Sequence, residues 1–190
     1  MDIKKTIEES IRVKKNLMED DNIILTIQQV AQVCIESLNQ GGRILFCGNG
    51  GSAADAQHLA AELSGRFYYD RDPLDAEALH VNTSYLTAVA NDYSFDEVYA
   101  RQVKAKGKKG DVLIGFSTSG NSENILKAFK TAHELGLTTV ALTGETGGKL
   151  KEFSDLLINV PSMDTPRIQE SHILIGHMIC EMIEAHIFPK

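Results

Sequence analysis

Several features that define other classes of protein are missing from this 190-residue sequence. No apolar run reaches the roughly 18 residues needed to cross a bilayer. Polar residues, and not the apolar core of a signal peptide, follow the first five residues, Met1–Lys5. The chain is also too short for two ordinary domains. We therefore expect a cytoplasmic protein of one domain with no membrane partner.

Cysteine and basic residues are both scarce. The three cysteines, Cys34, Cys47 and Cys180, are odd in number, far apart and set among apolar residues. This pattern favours buried, reduced thiols over a disulfide, a metal site or a nucleophile. Lysine and arginine number 19 against 26 acidic residues, which gives a net charge of −7. Nonspecific nucleic-acid binding needs a basic surface, and the one basic cluster, 104–109, is short, so we expect no nucleic-acid partner.

The spacing of apolar residues predicts two amphipathic helices followed by alternating strands and helices. We expect an N-terminal helical pair over 1–40 and an α/β core with a C-terminal helix over 41–190. Apolar strands that alternate with helices indicate a parallel sheet covered on both faces, a three-layer flavodoxin-like or Rossmann-like fold. The strands are predicted near 43–47, 76–81, 111–116, 138–142 and 156–160, and the helices near 3–20, 22–39, 53–65, 83–91, 95–105, 123–135 and 168–187.

Two polar turns follow predicted strands and precede predicted helices. Gly48-Asn49-Gly50-Gly51-Ser52 is rich in glycine, with Ser52 as the expected N-cap, and Ser117-Thr118-Ser119-Gly120-Asn121-Ser122 offers four hydroxyl groups. Free N–H groups at a helix start attract anions, and ligands of open α/β sheets bind beyond the carboxyl ends of the strands. Neither turn matches a P-loop or a Gly-x-Gly-x-x-Gly turn. The turns therefore predict a site for a monophosphate group and no nucleotide cofactor, although two capped turns that bind nothing would have the same pattern.

Two pairs of side chains are candidates for chemistry. His58 and Glu62 are four residues apart on one helix and share a face, although such pairs are often only exposed neighbours. Gln169 and His177 are eight residues apart on the last helix, about 12 Å along its axis. They either stretch toward one ion or belong to sites shared between subunits, and His177 alone would also suit an apolar core. The set suits a divalent metal, zinc first, with Glu62 as general base and His177 as general acid for an aldose–ketose isomerisation through an enediol.

Taken together, these residues resemble the sugar isomerase (SIS) domain proteins and, more narrowly, the phosphoheptose isomerases. The resemblance covers nearly the whole chain and includes Asn91-Asp92 and Arg167-Ile168-Gln169-Glu170. It implies a single SIS domain, a homotetramer with active sites near subunit interfaces, and N-terminal helices that serve oligomerisation. It also implies conversion of D-sedoheptulose 7-phosphate to D-glycero-D-manno-heptose 7-phosphate. That product feeds nucleotide-activated heptose for the lipopolysaccharide core or other surface glycans.

The resemblance also assigns roles to residues of this chain. It implies one zinc ion per subunit, bound by His58, Glu62, Gln169 and His177, with Glu62 and His177 catalytic. Pro166, before Arg167, departs from relatives that often carry alanine or aspartate there, which affects only loop details because proline is acceptable at a helix start. The implied substrate contacts are Asn49, Gly50, Gly51, Ser52, Glu62, Asn91, Asp92, Ser117, Thr118, Ser119, Ser122 and Gln169.

The main alternative is a non-catalytic SIS protein that binds the replication initiator DnaA. Segments 86–92 and 96–100 and the ending Ile187-Phe188-Pro189 resemble that protein too. It lacks the acid/base pair, whereas this chain has both Glu62 and His177, which favours the enzyme. The same pair disfavours a sugar-phosphate sensor without turnover. The sequence leaves open the anomer of the product, the ADP- or GDP-linked pathway, and which subunit supplies each ligand.

Overall fold

A five-stranded parallel sheet forms the centre of the protein, for which the computed structural model describes residues 2–190. The strand order is β2-β1-β3-β4-β5, and all neighbouring strands run parallel. This is the flavodoxin-like order, whose direction of winding reverses between β1 and β3. The predicted fold class is confirmed. The strands are β1 Ile44–Gly48, β2 Ala76–Ala78, β3 Val112–Ser117, β4 Thr138–Thr143 and β5 Leu156–Asn159.

Seven α-helices cover the sheet within the described residues. Alternate residues of each strand point to opposite faces, so the apolar strands supply two cores. Ile44 and Phe46 of β1 join the core formed with α1, α2, α3 and α7, whereas Leu45 and Cys47 join the core formed with α4, α5 and α6. The helices are α1 Ile3–Glu19, α2 Asp21–Asn39, α3 Gly51–Ser64, α4 Thr83–Asp92, α5 Val98–Lys106, α6 Glu123–Leu135 and α7 Thr165–Ile187.

Several predicted element boundaries are wrong. Helix α3 begins at Gly51, and its N-cap is Gly50 at φ +56° and not Ser52, because the glycine turn closes two residues earlier than the hydroxyl pattern suggested. Strand β2 ends at Ala78, since the chain turns there and does not continue to 81. Helix α7 begins at Thr165, and Pro166 lies in its first turn, where its missing N–H is not needed. A short 3₁₀ helix at Phe95–Glu97 replaces the start of one predicted helix, and another at Gly148–Phe153 lies between the strands predicted near 138–142 and 156–160.

The three cysteines are buried and free, as predicted. Burial raises the pKa of the Cys34 and Cys47 thiols well above the usual range. Burial also raises the pKa of Cys180, to about 12. None of the three is therefore a thiolate near neutral pH. No helix within residues 2–190 has both the length and the apolar composition to span a bilayer.

One buried histidine predicts a dependence of stability on pH. His172 on α7 is fully buried, and its Nε2 donates to the carbonyl oxygen of Thr143 at 3.1 Å. Burial lowers its pKa from 6.5 to about 4, although the hydrogen bond to Thr143 raises it in part. Between pH 6.5 and 4 the unfolded chain therefore binds a proton that the folded chain does not. We expect this group to lower the free energy of unfolding by up to about 1.4 kcal/mol per pH unit as the pH falls through that range.

Urea denaturation at several pH values checks this expectation. The control variant is His172→Gln, because its amide can still donate to the Thr143 carbonyl but does not titrate. The difference in slope between the two proteins isolates His172 from the other ionisable groups. Equal slopes between pH 6.5 and 4 would show that folding does not lower the pKa of His172.

Candidate active site

The two polar turns lie side by side at the carboxyl edge of the sheet. Strands β1 and β3 are neighbours in register, with Gly48 opposite Phe116, so both turns begin at the same level. Helix α3 leaves the first turn toward one face of the sheet, and α6 leaves the second turn toward the other. This is the point at which the winding reverses, where open α/β sheets bind their ligands.

A pair of asparagines joins the two turns. Asn49 Nδ2 donates to Asn124 Oδ1 at 2.9 Å, and Asn124 Nδ2 donates to Asn49 Oδ1 at 2.8 Å. Asn124 is buried in the first turn of α6. The buried Tyr99 hydroxyl also donates to the Gly48 carbonyl. Because both amide groups are satisfied in this reciprocal pair, the two turns are held in a defined relation before any ligand binds.

The second turn has a hydroxyl-rich surface beside a small cavity. Ser117 and Ser122 are hydrogen-bonded to one another through their hydroxyls at 3.1 Å, and Ser122, the N-cap of α6, makes no side-chain hydrogen bond to that helix. The cavity has a volume of about 220 Å³ and lies where this turn meets the loop that follows β5. Its lining is Thr118, Ser119, Asn121, Glu145, Thr146, Ser162, Met163, Thr165 and Ile168.

Close packing of α3 against α7 brings the remaining site residues together. Gly176 on α7 lies directly against Leu59 on α3, in a space that a Cβ would overfill. Near the start of α3, a Cβ on Gly51 would lie 2.7 Å from Nε2 of Gln169. These two contacts, Gly51–Gln169 and Leu59–Gly176, are eight residues apart on α3 and seven apart on α7, and residue numbers increase in the same direction along both helices. The helices therefore run parallel and in close contact for about two turns.

His58, Glu62 and His177 form a cluster at this helix interface. The Nε2 atoms of His58 and His177 are 3.0 Å apart, and His58 Nε2 is 3.2 Å from Glu62 Oε1. One potential ligand atom from each of the three residues lies within 4.8 Å of the others. The His58 side chain is half-exposed and that of Glu62 is 24% exposed, so the cluster is open to solvent from one side. The His58–Glu62 pair on α3 and His177 on α7, predicted on separate helices, thus meet in one chain.

The spacing of these atoms fits a zinc ion. Ligands at about 2.0–2.1 Å from a tetrahedral zinc lie roughly 3.3 Å from one another. The two separations from His58 Nε2, 3.0 and 3.2 Å, are close to that value, and all three ligand atoms lie within 4.8 Å of one another. Two neutral imidazoles and a carboxylate are also a donor set that zinc prefers. The three residues could therefore hold such an ion with little rearrangement.

Gln169 contacts a different part of α3 from the part that His177 contacts. Its amide is packed over Gly51 at the start of the helix, whereas His177 meets His58 about two turns further on. Gln169 therefore faces the glycine-rich turn within its own chain. This position suits a substrate contact, and its role as a metal ligand stays a prediction.

The predicted contacts Asn91 and Asp92 lie exposed at the end of α4. Asn91 Nδ2 donates to Asp92 Oδ1 at 2.9 Å. Among residues 2–190, no hydrogen bond joins either residue to the two polar turns. Their contact with substrate stays a prediction.

A further carboxylate stands one helical turn before His58. Asp55 Oδ2 is buried and finds no hydrogen-bond partner among residues 2–190. Burial raises the pKa of Asp55, and the neighbouring His58 lowers it in part. Asp55 is therefore a carboxyl group beside the cluster with one oxygen buried and unpartnered.

Sequence patterns did not indicate the residues that organise this site. Asn124 and Tyr99 hold the first turn in place through hydrogen bonds. Each lies on an amphipathic helix, where its spacing in the sequence is the same as that of any other buried residue. Phe67 packs its ring 5.8 Å from the ring of His177, across a loop of irregular structure. Only the fold brings such residues together, because their partners are far away in the sequence.

Comparison with known proteins gives concordant results. The family model described as "SIS domain" matches residues 7–144. The phosphoheptose isomerase of Burkholderia pseudomallei strain 1710b is 52% identical over 188 residues, which cover 99% of this chain and 95% of that protein. The phosphoheptose isomerase of Mycobacterium tuberculosis H37Ra is 54% identical over 180 residues, 95% of this chain and 92% of that protein. The solved phosphoheptose isomerase of Neisseria gonorrhoeae has a TM-score of 0.91 at 46% identity and covers 96% of this chain and 97% of its own.

The protein is a sugar-phosphate isomerase, like the relatives just described. Its fold and site agree with this class, since the sheet has two polar turns where its winding reverses and a His/Glu/His cluster lies nearby. The chain belongs to the SIS domain family and, within it, to the phosphoheptose isomerases.

Proposed function

We propose that this enzyme converts D-sedoheptulose 7-phosphate to D-glycero-D-manno-heptose 7-phosphate. The observation that carries the proposal is the His58–Glu62–His177 cluster, in a chain half identical to proteins named phosphoheptose isomerase. The product would enter nucleotide-activated heptose synthesis in the cytoplasm, for the lipopolysaccharide core or another surface glycan.

The chemistry assigns separate tasks to the acid and the base. Glu62 removes a proton from carbon 1 of the ketose, and the electrons form an enediol between carbons 1 and 2. Return of a proton to carbon 2 gives the aldose. His177 donates and accepts the protons on the two oxygens, so atoms and charge balance over the cycle. The 24% exposure of the Glu62 side chain leaves its carboxylate accessible to a bound sugar.

The two polar turns are proposed to bind the substrate. The Ser117, Thr118, Ser119 and Ser122 hydroxyls and the free N–H groups at the start of α6 supply donors for a phosphate without adding charge. Gly50 has open space around it, which allows a ligand close to the main chain. The other proposed contacts are Asn49, Gly51, Ser52, Glu62, Asn91, Asp92 and Gln169.

A zinc ion held by His58, Glu62 and His177, with Gln169 as the proposed fourth ligand, would stabilise the negative charge that develops on the sugar oxygens. We expect a chelator-treated sample to lose most of its activity and to recover it when Zn²⁺ is added back. Elemental analysis before and after treatment checks that the metal was removed. A fully active sample without bound divalent metal would contradict the role of the metal.

The first helix supports a homotetramer. Val13 and Leu17 face the core, whereas the outer ladder of α1 is exposed: Ile3 is 71%, Ile7 55%, Ile11 48% and Met18 68% accessible. So many exposed large apolar side chains on one helix are typical of a surface that packs against another protein. A second copy of the chain is the proposed occupant, and the α1–α2 pair is then an oligomerisation unit attached to the α/β core.

The test of this function is an NMR time course with sedoheptulose 7-phosphate and the zinc-loaded protein. We expect the aldoheptose 7-phosphate to appear until equilibrium is reached, and the spectrum also identifies its anomer. No conversion, together with direct binding to DnaA, would instead support the non-catalytic alternative.

A further inference from the structure

The segment between α3 and β2, residues 65–75, is held against α7 by a buried ion pair. Arg71 Nε lies 3.0 Å from Glu184 Oε2, and the two side chains are 2% and 1% exposed. Glu184 also accepts hydrogen bonds from the N–H groups of Phe67, at 2.9 Å, and Tyr68, at 2.7 Å. Burial by itself would raise the pKa of Glu184, but these hydrogen bonds and Arg71 outweigh burial and lower it. Glu184 is therefore a fully partnered carboxylate inside the protein.

The other side of the Arg71 guanidinium caps the C-terminal end of α3 by donating hydrogen bonds to its carbonyl groups. Nη2 donates to the carbonyl of Glu62 at 2.8 Å, and Nη1 donates to the carbonyls of Leu63 at 2.7 Å and Gly65 at 2.9 Å. Carbonyls in the last turn of a helix lack partners within the helix, and a cation there is also favoured by the helix dipole. The turn that carries Glu62 is therefore fixed by Arg71 through its main chain.

Glu184 is linked to His177 through Phe67. Glu184 lies seven residues, about two turns, after His177 on α7. Phe67, whose N–H is bound to Glu184, packs its ring against His177 with centroids 5.8 Å apart. One ion pair thus supports both the turn that carries Glu62 and the ring that packs against His177.

We infer that Arg71 and Glu184 are positioning residues, which set the relation between the catalytic Glu62 and His177. The inference rests on the proposed function for those two residues. Arg71 bonds to Glu62 through the main-chain carbonyl and not the carboxylate, so it acts on the reaction only through the placement of Glu62 and His177. Arginine is required because a lysine cannot bond to Glu184 and to the three carbonyls at once.

Two variants and one matched control test this role in the metal-loaded enzyme. Arg71→Lys keeps the charge but not the planar group, and Phe67→Leu keeps the main-chain bonds to Glu184 but removes the ring. The control is Arg43→Lys, because Arg43 forms a half-exposed ion pair with Asp75, 3.1 Å away, at the amino end of β1. We expect kcat to fall by about 10- to 100-fold in both variants, with KM within about threefold of wild type and the control unchanged.

A second measurement does not depend on the substrate. Ring NMR signals of His177, recorded without sugar, are expected to shift in Arg71→Lys and to stay in place in Arg43→Lys. Phe67→Leu is judged by kcat, because the lost ring current of Phe67 would itself move these signals. If the wild type does not convert sedoheptulose 7-phosphate, the proposed function fails and these signals still decide the positioning role. Unmoved signals in Arg71→Lys, or wild-type kcat in both variants, would overturn it. If Arg71→Lys does not fold, the kcat of Phe67→Leu decides.

Discussion

Replacement of Glu62 by glutamine is expected to lower kcat by about 100-fold or more, the scale of a lost acid or base. The glutamine has the same shape but cannot accept the proton from carbon 1 of the ketose. The Glu62 side chain is 24% exposed and lies 3.2 Å from the half-exposed His58, so its charge is not buried in the core. The fold should therefore be retained, and steady-state kinetics of sedoheptulose 7-phosphate conversion measure the effect.

The control for this variant is Glu134→Gln, which changes an exposed glutamate near the end of α6. It should leave kcat and the circular dichroism spectrum unchanged. His177→Asn should resemble Glu62→Gln, because the acid is lost in place of the base. Full activity in either the Glu62 or the His177 variant would refute the assignment of these residues.

Replacement of Gly120 by alanine is expected to lower the free energy of unfolding by roughly 2–5 kcal/mol. Gly120 has φ +65°, and a Cβ there would overlap the main chain of Gly147 and Gly148. The left-handed conformation costs a non-glycine residue about 1–2 kcal/mol, and the overlap adds about 1–3 kcal/mol. Neighbouring main-chain bonds, from the N–H of Leu150 to the Gly120 carbonyl and from the N–H of Gly144 to the Thr118 carbonyl, leave the turn little room to move away.

Gly41→Ala is the matched control for the close approach. Gly41 has φ +76°, but nothing lies within 4 Å of a Cβ built there. The free energy of unfolding of this variant should fall only by the cost of the left-handed conformation, about 1–2 kcal/mol. Urea denaturation of the two variants and the wild type separates the two costs. An equal loss in both would show that the second turn does not depend on close packing against residues 147–148.

Local patterns were sufficient to predict the sheet and the two polar turns. The strands are apolar on both faces and alternate with helices, and the carboxyl ends of parallel strands meet at one edge whatever the details of packing. His58 and Glu62 could be paired because four residues bring side chains together on any helix. Their meeting with His177 required the fold, since it depends on the small size of Gly176 against Leu59.

Features that depend on contacts far apart in the sequence could not be predicted in this way. A hydroxyl before an apolar helix suggested Ser52 as a cap, but the left-handed Gly50 starts α3 earlier. The Asn49–Asn124 and Arg71–Glu184 pairs join residues 75 and 113 positions apart. The position of Gln169 over Gly51 follows from the parallel packing of α3 and α7. The spacing of residues along the sequence does not show whether two helices pack parallel or antiparallel.

The most direct test of the central claim is the conversion of sedoheptulose 7-phosphate in D₂O, followed by NMR. A base at Glu62 that holds the proton during each turnover exposes it to exchange, because the cluster is open to solvent from one side. We expect deuterium to accumulate at carbon 2 of the aldose and at carbon 1 of the ketose over many forward and reverse turnovers. Complete conversion with no deuterium at either carbon would contradict an acid–base enediol mechanism at Glu62 and His177.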